Sequence, residues 1–392
     1  MQNDALMNTY GPSQCSLVRG EGCWVWDQNG KKYLDGLSGI AVCGLGHSHP
    51  SVANAVAEQA KELVHCSNFF SIPKQIQLAE NLCEISKMRR VFFSNSGAEA
   101  NEAAIKIARL HGNQLGLKLP TIVVMDNAFH GRTMATLSAS GGRKVQAGFE
   151  PLVSGFVRAP FNDIPSLEKI GSNNANICAV FVEPIQGEGG INMPSKDYLN
   201  ELQSLCKTRN WLLMIDEVQT GNGRTGKYFC YQHNNIVPDV VTTSKGLGNG
   251  VPIGACLASS RAADLMKPGN HGSTFGGNPL SCAAALASVR YIHEENLSER
   301  AEIIGNSIIH GLKLRLKSAT NVMDIRGKGC MIGIQLDRPC KSLFNTALES
   351  GLIINVTADS VIRLLPPLIM NDDQINLLLD ILAPLILNFV AD

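Results

Sequence analysis

Residues 211–219 read Trp211-Leu212-Leu213-Met214-Ile215-Asp216-Glu217-Val218-Gln219. Five apolar residues run without a polar break into two acids. A strand with one wet face alternates apolar and polar residues, whereas an unbroken apolar run belongs to a strand covered on both faces. The same pattern recurs outward along the chain at residues 90–94, 121–126, 178–183, 240–244 and 254–259. Helical patterns lie between several of these runs, as at 98–110 and 196–208. Buried strands alternating with helices predict an α/β fold with a mainly parallel sheet. Polar residues collect just past the strand ends, at Ser96, Glu183, Asp216 and Lys245. Ligands bind outside the carboxyl ends of strands in open α/β sheets, so four strands point at one site.

The flanks follow a different pattern. Residues 24–27 and 31–35 bracket Gln28-Asn29-Gly30, a hairpin signal. From about Asn296 the pattern predicts a long helix, a strand at 327–336, strands at 352–355 and 361–365, and a closing helix. We expect a large domain over 70–290 and a smaller one assembled from the two ends, 1–69 and 291–392.

Composition narrows the function classes. Lysine plus arginine equals aspartate plus glutamate, 34 against 34, which argues against a protein held to nucleic acid by excess positive charge. Charged residues are only 17%, so much surface is expected to be buried in a large core or between subunits. The 12 cysteines are scattered from Cys15 to Cys340 with no Cys-x-x-Cys pair, as for free thiols in a reducing compartment. Residues 1–10 carry neither the basic nor the apolar stretch of a secretion signal. The apolar stretch 375–390 is short for a bilayer and contains Asp380 and Pro384, so it reads as a packed helix. A soluble cytoplasmic protein is expected, without a membrane or nucleic-acid partner.

Several segments carry chemistry. Asn95-Ser96-Gly97-Ala98-Glu99 follows a strand and opens a helix, whose free N–H groups and dipole make an anion site; it also reads as a plainly capped helix. Asp216 ends a buried strand, where it needs a cation or donors, as in a structural salt bridge, a metal site or a pyridinium contact. Thr243-Ser244-Lys245-Gly246 places a lysine in a crowded loop, where burial favours a neutral, nucleophilic amine that forms Schiff bases; a surface lysine is the plainer reading. Phe129-His130-Gly131-Arg132 sets an aromatic beside an arginine, suited to a flat ring and a carboxylate, or to a core and a surface. Cys43, His47 and His49 invite a metal reading, but no second ligand pair lies in reach, so no metal is expected. Together, an anion cradle, a stacking aromatic, a buried acid and a dry lysine match pyridoxal phosphate.

The pattern resembles the class-III, fold-type I pyridoxal-phosphate aminotransferases from about Arg19 to the C-terminus. The likeness rests on Gly46-His47-x-His49-Pro50, Phe129-His130-Gly131-Arg132-Thr133, Val182-Glu183-Pro184-Ile185-Gln186-Gly187-Glu188-Gly189-Gly190, Asp216-Glu217-Val218-Gln219, Gly223-Arg224-Thr225-Gly226 and His271-Gly272-Ser273-Thr274-Phe275-Gly276-Gly277-Asn278-Pro279. It implies a seven-stranded, mainly parallel sheet plus a small α+β domain. It further implies that Lys245 carries the cofactor and Asp216 pairs with its ring nitrogen. Phe129 and Val218 would flank the ring, Gln219 would meet its hydroxyl, and Glu217 would be a further cofactor-binding residue. Gly97 and Ala98 amides would hold the phosphate, joined by Thr274 of a neighbouring subunit, hence a homodimer with a shared site. Ser273 and Arg132 would contact substrate, and Glu188 with Arg363 would form a gating pair. Two departures stand out. Residues Tyr10-Gly11-Pro12-Ser13 lack the family's arginine near position 12. Ile40 replaces a tyrosine that reads a free α-amine, which tilts the expected reaction toward N-acetylornithine with 2-oxoglutarate as acceptor. Succinyl-diaminopimelate, ornithine and 4-aminobutyrate are the alternative amines.

Overall fold

The computed structural model describes residues 5–10 and 13–391. Gly11 and Pro12, within the departing segment near Tyr10, lie outside the described residues. Strands β1 (Leu17–Glu21), β2 (Trp24–Asp27) and β3 (Lys32–Asp35) form an antiparallel meander. The expected hairpin closes as read. Gly30 takes φ +80°, and Asp27 accepts the N–H groups of Asn29 and Lys31 at 2.9 Å each.

Seven strands then build the main sheet: β4 (Arg90–Ser94), β5 (Thr121–Met125), β6 (Phe156–Ala159), β7 (Ile177–Val182), β8 (Leu212–Asp216), β9 (Val240–Thr243) and β10 (Gly254–Ala258). Their order is β4-β10-β9-β8-β7-β5-β6, and only β10 runs against its neighbours. Two details differ from the sequence reading. β4 is an edge strand with Arg90 exposed, not one covered on both faces. β6, the other edge, carried no signal because it is four residues long, half-buried and interrupted by Arg158. The parallel direction of β4, β5, β7, β8 and β9 gathers their carboxyl ends on one rim.

The helix Gly97–Gln114 begins directly after β4 and packs on the sheet. Its buried residues Ala100, Ala103, Ala104, Ile107 and Ala108 recur at helical spacing, and the alanines let it approach closely. Ser96 caps it, accepting the Glu99 N–H at 3.2 Å; such a cap contributes about 1 kcal/mol. Glu99 does not close a capping box on Ser96 but accepts the Asn95 N–H at 2.7 Å.

Beyond the sheet, the helix Pro279–Glu294 runs through the expected boundary at 290, and the helix Leu297–Arg315 follows. The single strand expected at 327–336 is a hairpin, β11 (Val322–Lys328) with β12 (Met331–Leu336). The turn between them uses Gly329 at φ +54°, and exposed Met323 and Asp324 hid β11 from a search for apolar runs. The strand expected at 352–355 splits in two. β13 (Leu352–Ile353) lies parallel to β3, while β14 (Asn355–Thr357) pairs with β15 (Val361–Leu364). The sheet β1-β2-β3-β13 thus joins both chain ends, and β11-β12-β15-β14 forms a third sheet. The helix Asp372–Ala391 buries a stripe of Ile375, Leu378, Leu379, Leu382 and Ile386, with Pro384 inside it. All twelve cysteines are free thiols.

Candidate active site

A cavity of about 410 Å³ opens at the rim where the strand ends meet. Its wall brings together Gly97, Ala98, Phe129, Arg132, Asp216, Val218, Gln219 and Lys245 from four separate stretches of chain. Glu183, Asn95, Ser96, Asn101 and His130 line it as well.

Asp216 ends β8, and its carboxylate is held by three donors. His130 Nδ1 lies 2.8 Å from Oδ2, Asn101 Nδ2 donates to the same oxygen at 2.8 Å, and the Val218 N–H donates to Oδ1 at 3.0 Å. His130 stacks on Phe181 with ring centres 4.1 Å apart, which fixes the imidazole plane. Asn101 also donates to the His130 carbonyl at 2.7 Å, tying the two supports together. In the sequence His130 stands within a motif and Asn101 on the helix that follows Gly97, and neither carries an evident task there. Their signal was a buried acid that required donors from elsewhere. Glu183, at the end of β7, accepts the N–H groups of Phe129 at 2.9 Å and Gly187 at 3.1 Å. Burial pushes its carboxyl up to about 7.

Lys245 follows β9 in the left-handed region, at φ +48°. A non-glycine residue there costs of order 1–3 kcal/mol, held in place by its surroundings. Burial, opposed by the charge of Glu188, lowers its amine from 10.5 to about 8. A lysine in that range is partly neutral near physiological pH and can act as a nucleophile or base.

The helix start at Gly97 forms another part of the cavity wall. The first N–H groups of a helix have no intrahelical acceptor and attract anions. A Cβ on Gly97 would lie 2.7 Å from Val218 Cγ1, so only glycine lets the helix start close against the segment after β8. Phe129 is half-buried with the Arg132 guanidinium 5.5 Å from its ring centre. An anion cradle, two apolar faces formed by Phe129 and Val218, an anchored carboxylate and an amine thus fit the phosphate, ring, ring nitrogen and aldehyde of pyridoxal phosphate.

Glu188 and Arg363 meet at 2.5 Å. Arg363, on β15, is 1% exposed, whereas the Glu188 side chain is 35% exposed. Arg363 Nη1 also reaches Gln219 Oε1 at 3.5 Å. Burial pushes the Glu188 carboxyl up, but the charge and hydrogen bond of Arg363 outweigh it and hold the group below its ordinary value.

Other expected residues lie elsewhere. Glu217 is buried behind the cavity, where its carboxylate accepts from Thr220 Oγ1 at 2.5 Å and the Tyr231 N–H at 2.9 Å. Ser273 touches the site through Asn95, whose Nδ2 donates to Ser273 Oγ at 3.2 Å. Thr274 is exposed and outside this cavity. Ile40 sits in a run of positive φ from Ser38 to Ala41 and packs beside Ile185, Met331 and Leu365. Val42, just beyond it, lines the cavity. His47 pairs with Asp35 at 2.7 Å, and no group of three metal-binding side chains occurs among the described residues.

Comparison with known proteins agrees with this chemistry. The class-III aminotransferase family model matches residues 6–386. Acetylornithine aminotransferase of Nitrosomonas europaea is 53% identical over 365 residues, 93% of each chain. Its counterpart in Methanothermobacter thermautotrophicus is 43% identical, covering 98% of this chain and 97% of its own. Among solved structures, an ornithine aminotransferase of Toxoplasma gondii with partial pyridoxal-phosphate occupancy superposes with a TM-score of 0.95 at 33% identity, over 98% of this chain and 92% of that one. Acetylornithine aminotransferase from Elizabethkingia anophelis superposes with a TM-score of 0.87 at 36% identity, over 98% and 96%. A rim that presents an anchored acid, a dry lysine and an anion cradle, in a sequence matched along nearly its whole length, places this chain in the class-III aminotransferases, as a pyridoxal-phosphate-dependent enzyme.

Proposed function

We propose that this enzyme moves the δ-amino group of N-acetyl-L-ornithine to 2-oxoglutarate in ping-pong order, giving N-acetyl-L-glutamate 5-semialdehyde and L-glutamate. The Glu188–Arg363 pair beside Lys245 carries this reading. One site must accept a carbon that bears a carboxylate in one half-reaction and none in the other. A buried arginine with an exchangeable glutamate meets both demands. The identity to acetylornithine aminotransferases supports the choice of amine.

When bound, pyridoxal phosphate supplies an aldehyde that condenses with amines and a protonated ring that draws electrons. The chain's residues do the rest. Gly97 and Ala98 amides hold the phosphate. Phe129 and Val218 hold the ring plane, and Gln219 takes its hydroxyl. Asp216, held by His130, Asn101 and the Val218 N–H, accepts the ring N–H. Lys245 holds the cofactor at rest, and its freed Nζ then carries the proton from the amine-bearing carbon. Arg132 takes the carboxylate remote from that carbon and Ser273 a polar group nearby. In the glutamate half-reaction Glu188 withdraws and Arg363 takes the α-carboxylate.

The working unit on this reading is a homodimer. Thr274 is exposed outside its own cavity and lines a second hollow with Phe69. Phe69, its chain neighbour Phe70, and Phe275 next to Thr274 are 95%, 68% and 58% exposed. Exposed aromatic side chains of that kind suit a subunit interface, across which Thr274 would reach the partner's phosphate site. The two chain ends form the smaller unit and the stretch between them the larger, with the second border after the helix Pro279–Glu294 rather than at 290, and the enzyme works in the cytoplasm.

The test follows the yellow absorbance of the holoenzyme without oxo acid, on adding N-acetylornithine, ornithine, succinyl-diaminopimelate or 4-aminobutyrate. Fast bleaching with N-acetylornithine and slow bleaching with ornithine is the expected result. Bleaching only with ornithine or 4-aminobutyrate would overturn the substrate and leave the roles of Lys245 and Asp216 standing.

A further inference from the structure

We propose that Asn355 is the positioning residue that makes the Glu188–Arg363 pair exchangeable, by blocking one edge of the Arg363 guanidinium without neutralising it. This rests on the reading of Arg363 as the α-carboxylate site.

Asn355 on β14 stands directly opposite Arg363 on β15. Its Oδ1 accepts from Arg363 Nε at 3.2 Å and from Nη2 at 2.7 Å. A guanidinium offers two edges that a carboxylate can grip with both oxygens, Nε with Nη2 and Nη1 with Nη2. Asn355 occupies the first. Glu188 holds Nη1 through one oxygen, at 2.5 Å. When Glu188 withdraws, the edge formed by Nη1 and Nη2 is the one presented to an incoming carboxylate, in an orientation the strand pairing has set.

The choice of an amide carries the second half of the argument. Arg363 is 1% exposed, so it needs one counter-charge and has no use for two. A carboxylate at 355 would stand where Oδ1 now stands and would neutralise the arginine permanently. An amide offers the same acceptor and leaves the charge to Glu188 or the substrate. β14 steadies the other partner too, because Thr357 Oγ1 donates to the Glu188 carbonyl at 2.6 Å. The backbone of Glu188 and the plane of Arg363 are both fixed to one strand. The Glu188 carboxylate is the part left free to turn.

The experiment compares the two half-reactions of the holoenzyme by stopped-flow absorbance, with N-acetylornithine and with glutamate. It also measures binding of glutarate, a dicarboxylate without an amine, by thermal shift. Asn355→Asp is expected to lower the ratio of glutamate to N-acetylornithine specificity constants by about a hundredfold, and Asn355→Ala by about tenfold, with glutarate weakened in step. An unchanged ratio in Asn355→Asp, or an equal fall of both half-reactions in the two variants, would overturn the proposal. Should Asn355→Asp not fold, Asn355→Ala decides by the same ratio. Arg363→Lys separates the two readings. A ratio that survives it removes Arg363 as the carboxylate site. A ratio that collapses there but holds in Asn355→Asp removes Asn355 alone.

Discussion

The two charged ends of the site are built on opposite plans, Asp216 in the cavity wall and Arg363 outside it, against Gln219. At one end Asp216 is buried, its two oxygens held by His130, Asn101 and the Val218 N–H. At the other, Arg363 is as deeply buried, but its only carboxylate partner among the described residues is the half-exposed Glu188. The first end is braced from three sides. On the proposed function the second changes partner every turnover, with one member clamped and the other left loose. Rigidity and exchange are thus set by whether the hydrogen-bond partners around each charge are all fixed, not by burial.

Removing the chemistry gives the largest effect. Lys245→Ala should lower transamination by about 10⁴-fold or more, measured in steady state. Asp216→Asn keeps the shape but loses the charge that on the proposed function faces the ring nitrogen, and a fall on the order of 10³-fold is expected in both half-reactions. Equal loss in both would mark the braced end. Glu188→Ala should act unequally. It strips the counter-charge from Arg363, so N-acetylornithine should suffer about tenfold more than glutamate. The same change should cost about 1–2 kcal/mol in chemical denaturation, less than for a sealed pair because Glu188 is partly solvated. If both half-reactions fell together, the contrast between the ends would be lost.

Smaller effects sharpen the contrast. His130→Ala leaves Asp216 with two donors, and cofactor affinity measured by fluorescence titration should fall about tenfold. The amine of Lys245 is lowered to about 8 by burial. Capture of pyridoxal phosphate by the apoenzyme should therefore speed up as pH rises through about 8 and then level off. A rise delayed toward the ordinary 10.5 would show the lysine to be solvated. Smallest is a pH-dependent contribution to stability away from the cavity. The hydrogen bond that His47 donates to the Asp35 carboxylate raises the imidazole from 6.5 to about 10. A histidine raised on folding stabilises fully below its unfolded value, so this contribution is present below 6.5 and is lost as pH rises toward 10. His47→Gln should flatten the melting temperature across that window.

Much of this was legible in the residues. Apolar runs ending in single polar residues mark buried strands, because a covered strand tolerates a charge only where it leaves the sheet. Five of the strands that meet at the rim could therefore be read singly, and Lys245, Asp216 and Gly97 with them. What failed to show were the short or one-sided elements, β6, β11 and the split at Ile354. Their signals are two to seven residues long and mixed with exposed side chains.

The sequence by itself determined the local choices: which runs are buried strands, where a helix starts with free N–H groups, and which lysine and acid stand at strand ends. These depend on side-chain size, hydrophobicity and capping within a few neighbours. Only the tertiary structure decided the partnerships. Asp216 meets Asn101 and His130 across 115 and 86 positions, and Arg363 meets Glu188 across 175. It also turned Glu217 away from the cavity and left Thr274 outside it. Contacts at such separations follow from strand order and from which faces pack together, and no periodicity in a single chain records them.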